Sequence, residues 1–187
     1  MTDRARQIIA AARTLLETEG PEALTMRRLA DSIGITAPSL YKHFPDKSSV
    51  LTALAGEVLR ETAETLEAAE SVAPGSFPAL ATAYRAYAMA HPHLYRLTTE
   101  HPVDRASLPP GLEQRAAAPL HRAVDGDQER ARAAWAFAHG MVVLELNGRF
   151  PPGADLSAAW SAGIAAFGTV GARPARRASS DRPRPAG

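Results

Sequence analysis

The stretch from Thr25 to Lys47, TMRRLADSIGITAPSLYKHFPDK, leaves the polypeptide few choices. Two short segments with helical apolar spacing flank Gly34. Leu29 and Ile33 mark the first, and Leu40 and Phe44 the second. Gly34 supplies a turn position that tolerates positive φ. Ala30 is small enough for two helices to touch there. Thr25, Thr36 and Asp46 stand at three helix starts as N-cap residues. The pattern predicts helices near 26–33 and 37–44 joined by a tight turn, which is a helix-turn-helix.

The orientation of the second of these helices follows from its period. At about 100° per residue, Ala37, Leu40 and Phe44 fall in one sector of about 60° and face the core. Pro38, Ser39 and Lys42 point the opposite way, with Tyr41 and His43 on the flanks. A helix in the major groove offers its outward face to base edges and its flanks to the phosphate walls. Pro38, Ser39 and Lys42 are therefore the expected base readers, and Tyr41 and His43 the expected phosphate contacts. Pro38 falls in the first turn, where its missing N–H costs little. Thr25 and Lys47 open helices whose free N–H groups favour an anion. Arg27 and Arg28 add charge beside them, and either side chain can bind guanine bidentately.

Leu40-Tyr41-Lys42-His43-Phe44 followed by Lys47 resembles the helix-turn-helix of the tetracycline-repressor (TetR) family. The resemblance covers about residues 4–55. It implies a DNA-binding transcription regulator. It also implies operator contacts at the positions of Thr25, Arg27, Thr36, Ala37, Pro38, Ser39, Tyr41, His43 and Lys47.

The remainder of the chain also reads as helix, with neither sustained period-2 alternation nor an Asn-Gly hairpin turn. A first helix fits 4–19, ended by Gly20-Pro21. A long one fits 47–71, close to 40 Å at about 1.5 Å per residue. Others fit 76–90, 93–99, 112–124, 128–149 and 155–170, separated by Pro- and Gly-containing breaks. The expected fold class is all-α with about nine helices. The expected organisation is a helix-turn-helix domain over 1–48, a helical sensing and dimerisation domain over 49–171, and a disordered basic tail over 172–187.

Trp135 through His139-Gly140 to Phe150 looks like the Trp-His-Gly-containing sensor domain of one TetR subgroup. One recognition helix reads only a few base pairs, so affinity calls for two half-sites and hence a homodimer. Leu156, Ala159, Trp160, Gly163, Ile164 and Phe167 form one stripe on the last helix and are the expected dimer contacts. The alternative is burial of that stripe within its own chain. A pocket for an unidentified small-molecule effector is expected between the central helices. Tyr84, Tyr87, Met89, Tyr95, Trp135 and His139 are its candidate walls, and the 100–111 loop its mouth. Each of the six is also an ordinary core residue.

Bulk charge does not announce a nucleic-acid partner. The net is +1, and residues 1–47 carry seven basic against six acidic side chains. Binding must come from local placement. The 172–187 tail, with five Arg and one Asp, is the basic segment. There is no cysteine, and hydrophobic residues make up 45% of the chain, enough for a real core. The longest uncharged run, 17 residues over 156–172, is too short and too rich in Gly and Ser for a membrane span, which needs roughly 20 apolar residues. Arg4, Arg6 and Arg13 argue against a signal peptide, and a cytoplasmic location is expected. His91, His93 and His101 match no standard metal spacing. A hydrolase or carrier built on them, and a DNA-binding protein without effector, are the rival readings. No cofactor is expected, and no catalytic motif is present, so the chain is not read as an enzyme.

Overall fold

The computed structural model describes residues 2–100 and 102–168. His101 and the 172–187 tail lie outside them. The described residues form nine α-helices and no strand. These are α1 (Asp3–Glu19), α2 (Met26–Ser32), α3 (Ala37–Tyr41), α4 (Lys47–Val72), α5 (Phe77–Ala90), α6 (Pro92–Glu100), α7 (Leu112–Ala123), α8 (Gln128–Leu146) and α9 (Leu156–Gly168). A short 3-10 turn at Arg105–Ser107 separates α6 from α7.

Local chemistry sets the boundaries. Thr2, Thr25, Asp46, Ser76 and Asp127 each accept a backbone N–H at a helix start. At α4 the cap is reciprocal, because the Ser49 hydroxyl meets the Asp46 backbone N–H while Asp46 takes the Ser49 N–H. Thr36 departs from expectation: its hydroxyl makes no cap bond. The donors it would serve are gone, since Pro38 has no N–H and the Ser39 N–H goes to the Thr36 carbonyl at 2.9 Å. The helix also ends at Tyr41 rather than at Phe44. Lys42 keeps helical dihedrals, and the Phe44 N–H still reaches the Leu40 carbonyl at 3.0 Å.

Two apolar clusters hold the helices. The first gathers Ile8, Ile9, Leu16, Leu24, Leu29, Leu40, Val50, Leu54 and Val58, and takes in Leu94 and Leu97 from α6. The second gathers Phe77, Ala81, Ala88, Tyr95, Ala134, Ala138, Val142 and Trp160. α4 packs on α1, α5, α6 and α7, so one rigid rod touches both ends of the molecule. Ion pairs fasten α7 along it: Arg115 grips Glu67 at 2.6 and 2.7 Å, and Arg122 grips Glu70 at 2.5 Å. Most of these groups are well exposed, so the pairs set alignment more than stability.

Candidate nucleic-acid interface

The turn between α2 and α3 is built as the sequence demands. Gly34 takes φ +65, and the Ile35 N–H returns to the Ala30 carbonyl at 3.0 Å. Ala30 is buried, and Leu40, wholly buried, pins α3 from behind with Phe44. Pro38, Tyr41, Lys42 and His43 are exposed, as are Thr25, Arg27, Thr36 and Lys47; Ser39 is half-buried. Ala37 is a correction to the core face, because it too is exposed. Leu40 and Phe44, both buried, form the packed face without it.

The cations of this surface are not equivalent. Arg28 lies against the Glu19 carboxylate at 2.8 and 2.9 Å, so its charge is already partnered at the end of α1. Arg27 has no such partner among the described residues. Lys47 reaches the Pro21 carbonyl at 3.4 Å, which keeps its ammonium beside the α1–α2 turn.

A second polar group joins α1 to the rest of the chain. Arg13 binds both Glu17 and Glu61, the Tyr87 hydroxyl donates to Glu61 at 2.9 Å, and His91 Nδ1 sits 2.6 Å from Glu17. Burial alone would raise the Glu61 carboxyl, but the bonds from Arg13 and Tyr87 outweigh it and hold the group below its ordinary value. Burial also pushes the Tyr87 phenol up.

The six candidate pocket residues do not converge. Tyr84, Tyr95, Trp135 and His139 do: the two hydroxyls are 3.1 Å apart, Tyr95 meets His139 Nδ1 at 2.6 Å, and Trp135 stacks on His139. Burial pushes the Tyr95 phenol up and the His139 imidazole down. Tyr87 belongs instead to the Glu61 group, and Met89 is exposed on the surface of α5. Two clefts lie elsewhere, under the loop that follows α6. A cleft of about 380 Å³ is lined by Leu59, Thr98, Val103, Arg105 and Glu113. Another of about 590 Å³ lies between α4 and Leu108, Pro109 and Leu112. None of the six candidates borders either cleft.

The α9 stripe turns largely toward its own chain. Trp160 is 4% exposed, its indole donating to Glu145 at 3.1 Å. Ile164 and Phe167 pack on the second cluster, Gly163 lies under the Phe137 ring, and Leu156 and Ala159 are half-buried. The large residues turn inward because α5 and α8 offer them an apolar face. The residues α9 leaves outside include Ala158, Ser161, Ala162 and Ala165, and those of α8 include Ala133, Ala136 and Leu144. The i, i+3, i+4, i+7 spacing of these small residues was visible in the sequence; the larger side chains beside them carried the stronger signal.

Two family models match the chain: "Bacterial regulatory proteins, tetR family" over residues 8–54 and "Tetracyclin repressor-like, C-terminal domain" over 77–167. An HTH-type transcriptional regulator of Mycobacterium tuberculosis is 31% identical over 151 residues, 75% of this chain and 69% of the relative. The chain belongs to the TetR family. Within the family, the class A tetracycline repressor of Escherichia coli is 44% identical over 54 residues, 29% of this chain and a quarter of the repressor's length. A solved structure from Rhodococcus sp. RHA1, of a protein with unknown function, superposes with a TM-score of 0.75 at 27% identity, covering 89% of this chain and 94% of the other. This TetR-family chain is thus a DNA-binding transcription regulator, and family and fold point away from an enzyme. Among the described residues no helix is long and apolar enough to cross a membrane, and no group of three His, Asp or Glu is placed to hold a metal.

Proposed function

We propose that this chain is a ligand-responsive repressor that holds a palindromic operator as a homodimer and releases it when a small molecule binds. The carrying observation is the outward face of α3. Pro38, Tyr41 and Lys42 stand exposed there while Leu40 is fully buried behind them, so the helix is rigidly backed and free in front. Pro38, Ser39 and Lys42 read base edges. Thr25, Arg27, Thr36, Tyr41, His43 and Lys47 bind phosphates, and Ala37 contacts the groove wall. The Thr36 hydroxyl, not used as a cap, is available for a phosphate oxygen.

Two chains pair through α8 and α9. The small exposed residues Ala136, Ala158, Ala162 and Ala165 let helices approach closely and leave apolar surface to cover. The sensor domain is of the Trp-His-Gly type in this reading, which the Trp135–His139–Gly140 segment supports, with the Tyr84–Tyr95–His139 chain packed beside it. The head spans about 1–48 and the sensor about 49–171, in a cytoplasmic protein. α4 links the two, so an effector that favours the wrong head spacing draws the population off DNA.

Capture of genomic fragments by the purified protein tests this. Recovered fragments should share a palindrome with half-sites about one or more DNA turns apart. Gel shifts should show two chains per site, and a duplex with one half-site should bind far more weakly. Equal affinity for a single half-site would overturn the reading.

A further inference from the structure

We propose that a closed circuit of five side chains fixes the angle at which the helix-turn-helix head sits on the rest of the chain. Arg13 of α1 binds Glu17 on its own helix and Glu61 on α4. Glu61 accepts from the Tyr87 hydroxyl of α5 at 2.9 Å, and the Tyr87 ring lies 5.0 Å from the His91 ring. His91, between α5 and α6, closes the circuit with its Nδ1 2.6 Å from Glu17. The side chains of Arg13, Glu17, Glu61 and His91 are only 23–33% exposed. One residue beyond α1, Gly20 is buried at φ +81, and a Cβ there would stand 3.6 Å from His93 Cε1. The end of α1 is thus seated on the start of α6 as well as on α4 and α5.

The circuit stands where the head leaves its own packing. The cluster that holds α1, α2 and α3 takes in α4 as far as Val58, with Leu94 and Leu97 of α6. Glu61 lies almost one turn beyond Val58, so Arg13 reaches past that core to a stretch of α4 shared with Tyr87. Apolar contact is non-directional and tolerates small slides. Hydrogen bonds weaken steeply away from their preferred angles, and charge-assisted ones shielded from water are the strong ones. A bonded circuit therefore admits one seating of α1. α3 follows α1, because Leu40 and Phe44 belong to the same cluster as Ile8, Ile9 and Leu16. A tilt of α1 thus becomes a tilt of the recognition face. The Arg115–Glu67 and Arg122–Glu70 pairs, by contrast, join α4 to α7 and leave the head out. On a palindrome, the seating of two heads sets which half-site separation fits. That consequence rests on the homodimer reading above, whereas the hold on α1 does not.

Hydrogen exchange on the full chain without DNA tests the hold. Tyr87→Phe removes one bond and keeps the bulk of the side chain; Arg13→Gln opens the circuit at its centre. Each should speed amide exchange over residues 13–19 about five-fold and leave that of α8 unchanged. Binding to a palindrome whose half-sites are moved by one base pair, about 3.4 Å and about 35° of turn, tests the consequence. The native chain should lose about ten-fold in affinity on that move, and the two variants only about two-fold. Both variants should keep their affinity for a single half-site within about two-fold, because the head itself is intact. Arg122→Ala, which cuts α4 from α7, should match the native chain in both measurements. Unchanged exchange in both variants overturns the proposal. So does a variant that loses affinity at every spacing alike, since that marks a chain weakened as a whole. A native chain indifferent to spacing sinks the homodimer reading instead, and exchange then decides the circuit by itself.

Discussion

The ring of Phe137 on α8 occupies the space that a side chain at Gly163 of α9 would need. A Cβ built on Gly163 would overlap Phe137 Cε2 and Cζ. That ring is not idle: it stands edge-on to Trp160 at 5.6 Å and tilted to Phe167 at 5.8 Å. The α8–α9 contact is set by a missing methyl group.

Gly163→Ala should therefore destabilise the chain despite alanine's better helix propensity. The helix gains about 1 kcal/mol, and overpacking the ring costs about 1–3 kcal/mol. A net loss of up to about 2 kcal/mol lowers the melting temperature by up to roughly 8 °C for a domain of this size. A higher melt would mean that the Phe137 ring yields without cost.

Gly56→Ala carries the opposite sign. Gly56 is also inside a helix, but a Cβ there would stand 3.5 Å from Leu108 Cδ2 and 3.7 Å from Pro109 Cδ, ordinary contact distances. Removing a helical glycine without a clash should stabilise by about 0.5–1 kcal/mol. Thermal melts of the two variants side by side check the contrast, and a fall for Gly56→Ala would place the 107–112 segment closer to α4 than described.

These two glycines show where the sequence could be read and where it could not. The helix-turn-helix was legible because its signals are local: Gly34 at positive φ, Ala30 at the contact, and Leu40 on the buried face lie within eleven residues. The helical class and most boundaries followed from the same periodicity. The direction of the α9 stripe did not, since a face rich in Trp160, Ile164 and Phe167 suits either a partner or its own core. Nor did the Arg13–Glu61–Tyr87 group, whose members lie up to 74 residues apart. Spacing along one helix carries no information about such meetings.

Glu145 predicts acid sensitivity. The Arg85 guanidinium holds its carboxyl below the ordinary value, helped by the Trp160 indole, and its side chain is 10% exposed. A carboxyl depressed in the folded state stabilises above its unfolded value and loses that contribution as pH falls through its folded value. Burial holds the His139 imidazole low, so its loss begins earlier, as pH drops below about 6.5. Glu145→Gln should cost about 1–3 kcal/mol near pH 7, and the cost should shrink as pH falls below the ordinary carboxylate range. Urea melts across that range test it; a cost independent of pH would assign Glu145 a packing role only.

Two substitutions at the head separate a phosphate contact from a sequestered charge. Lys47 is exposed at the start of α4, where its ammonium reaches the Pro21 carbonyl. Lys47→Ala should weaken all duplexes alike and flatten the salt dependence by about 0.9 per chain, the signature of one lost phosphate contact. Arg28 is neutralised by Glu19, so Arg28→Ala should change the salt slope little, whereas Glu19→Gln should free its guanidinium. The freed charge should strengthen binding to every sequence by about two- to five-fold at low salt, fading as salt screens it. Gel shifts on operator and scrambled duplexes at several salt concentrations read all three. If Glu19→Gln weakens binding instead, the Glu19–Arg28 pair is what holds α2 in place, and its loss disorders the head rather than charging it.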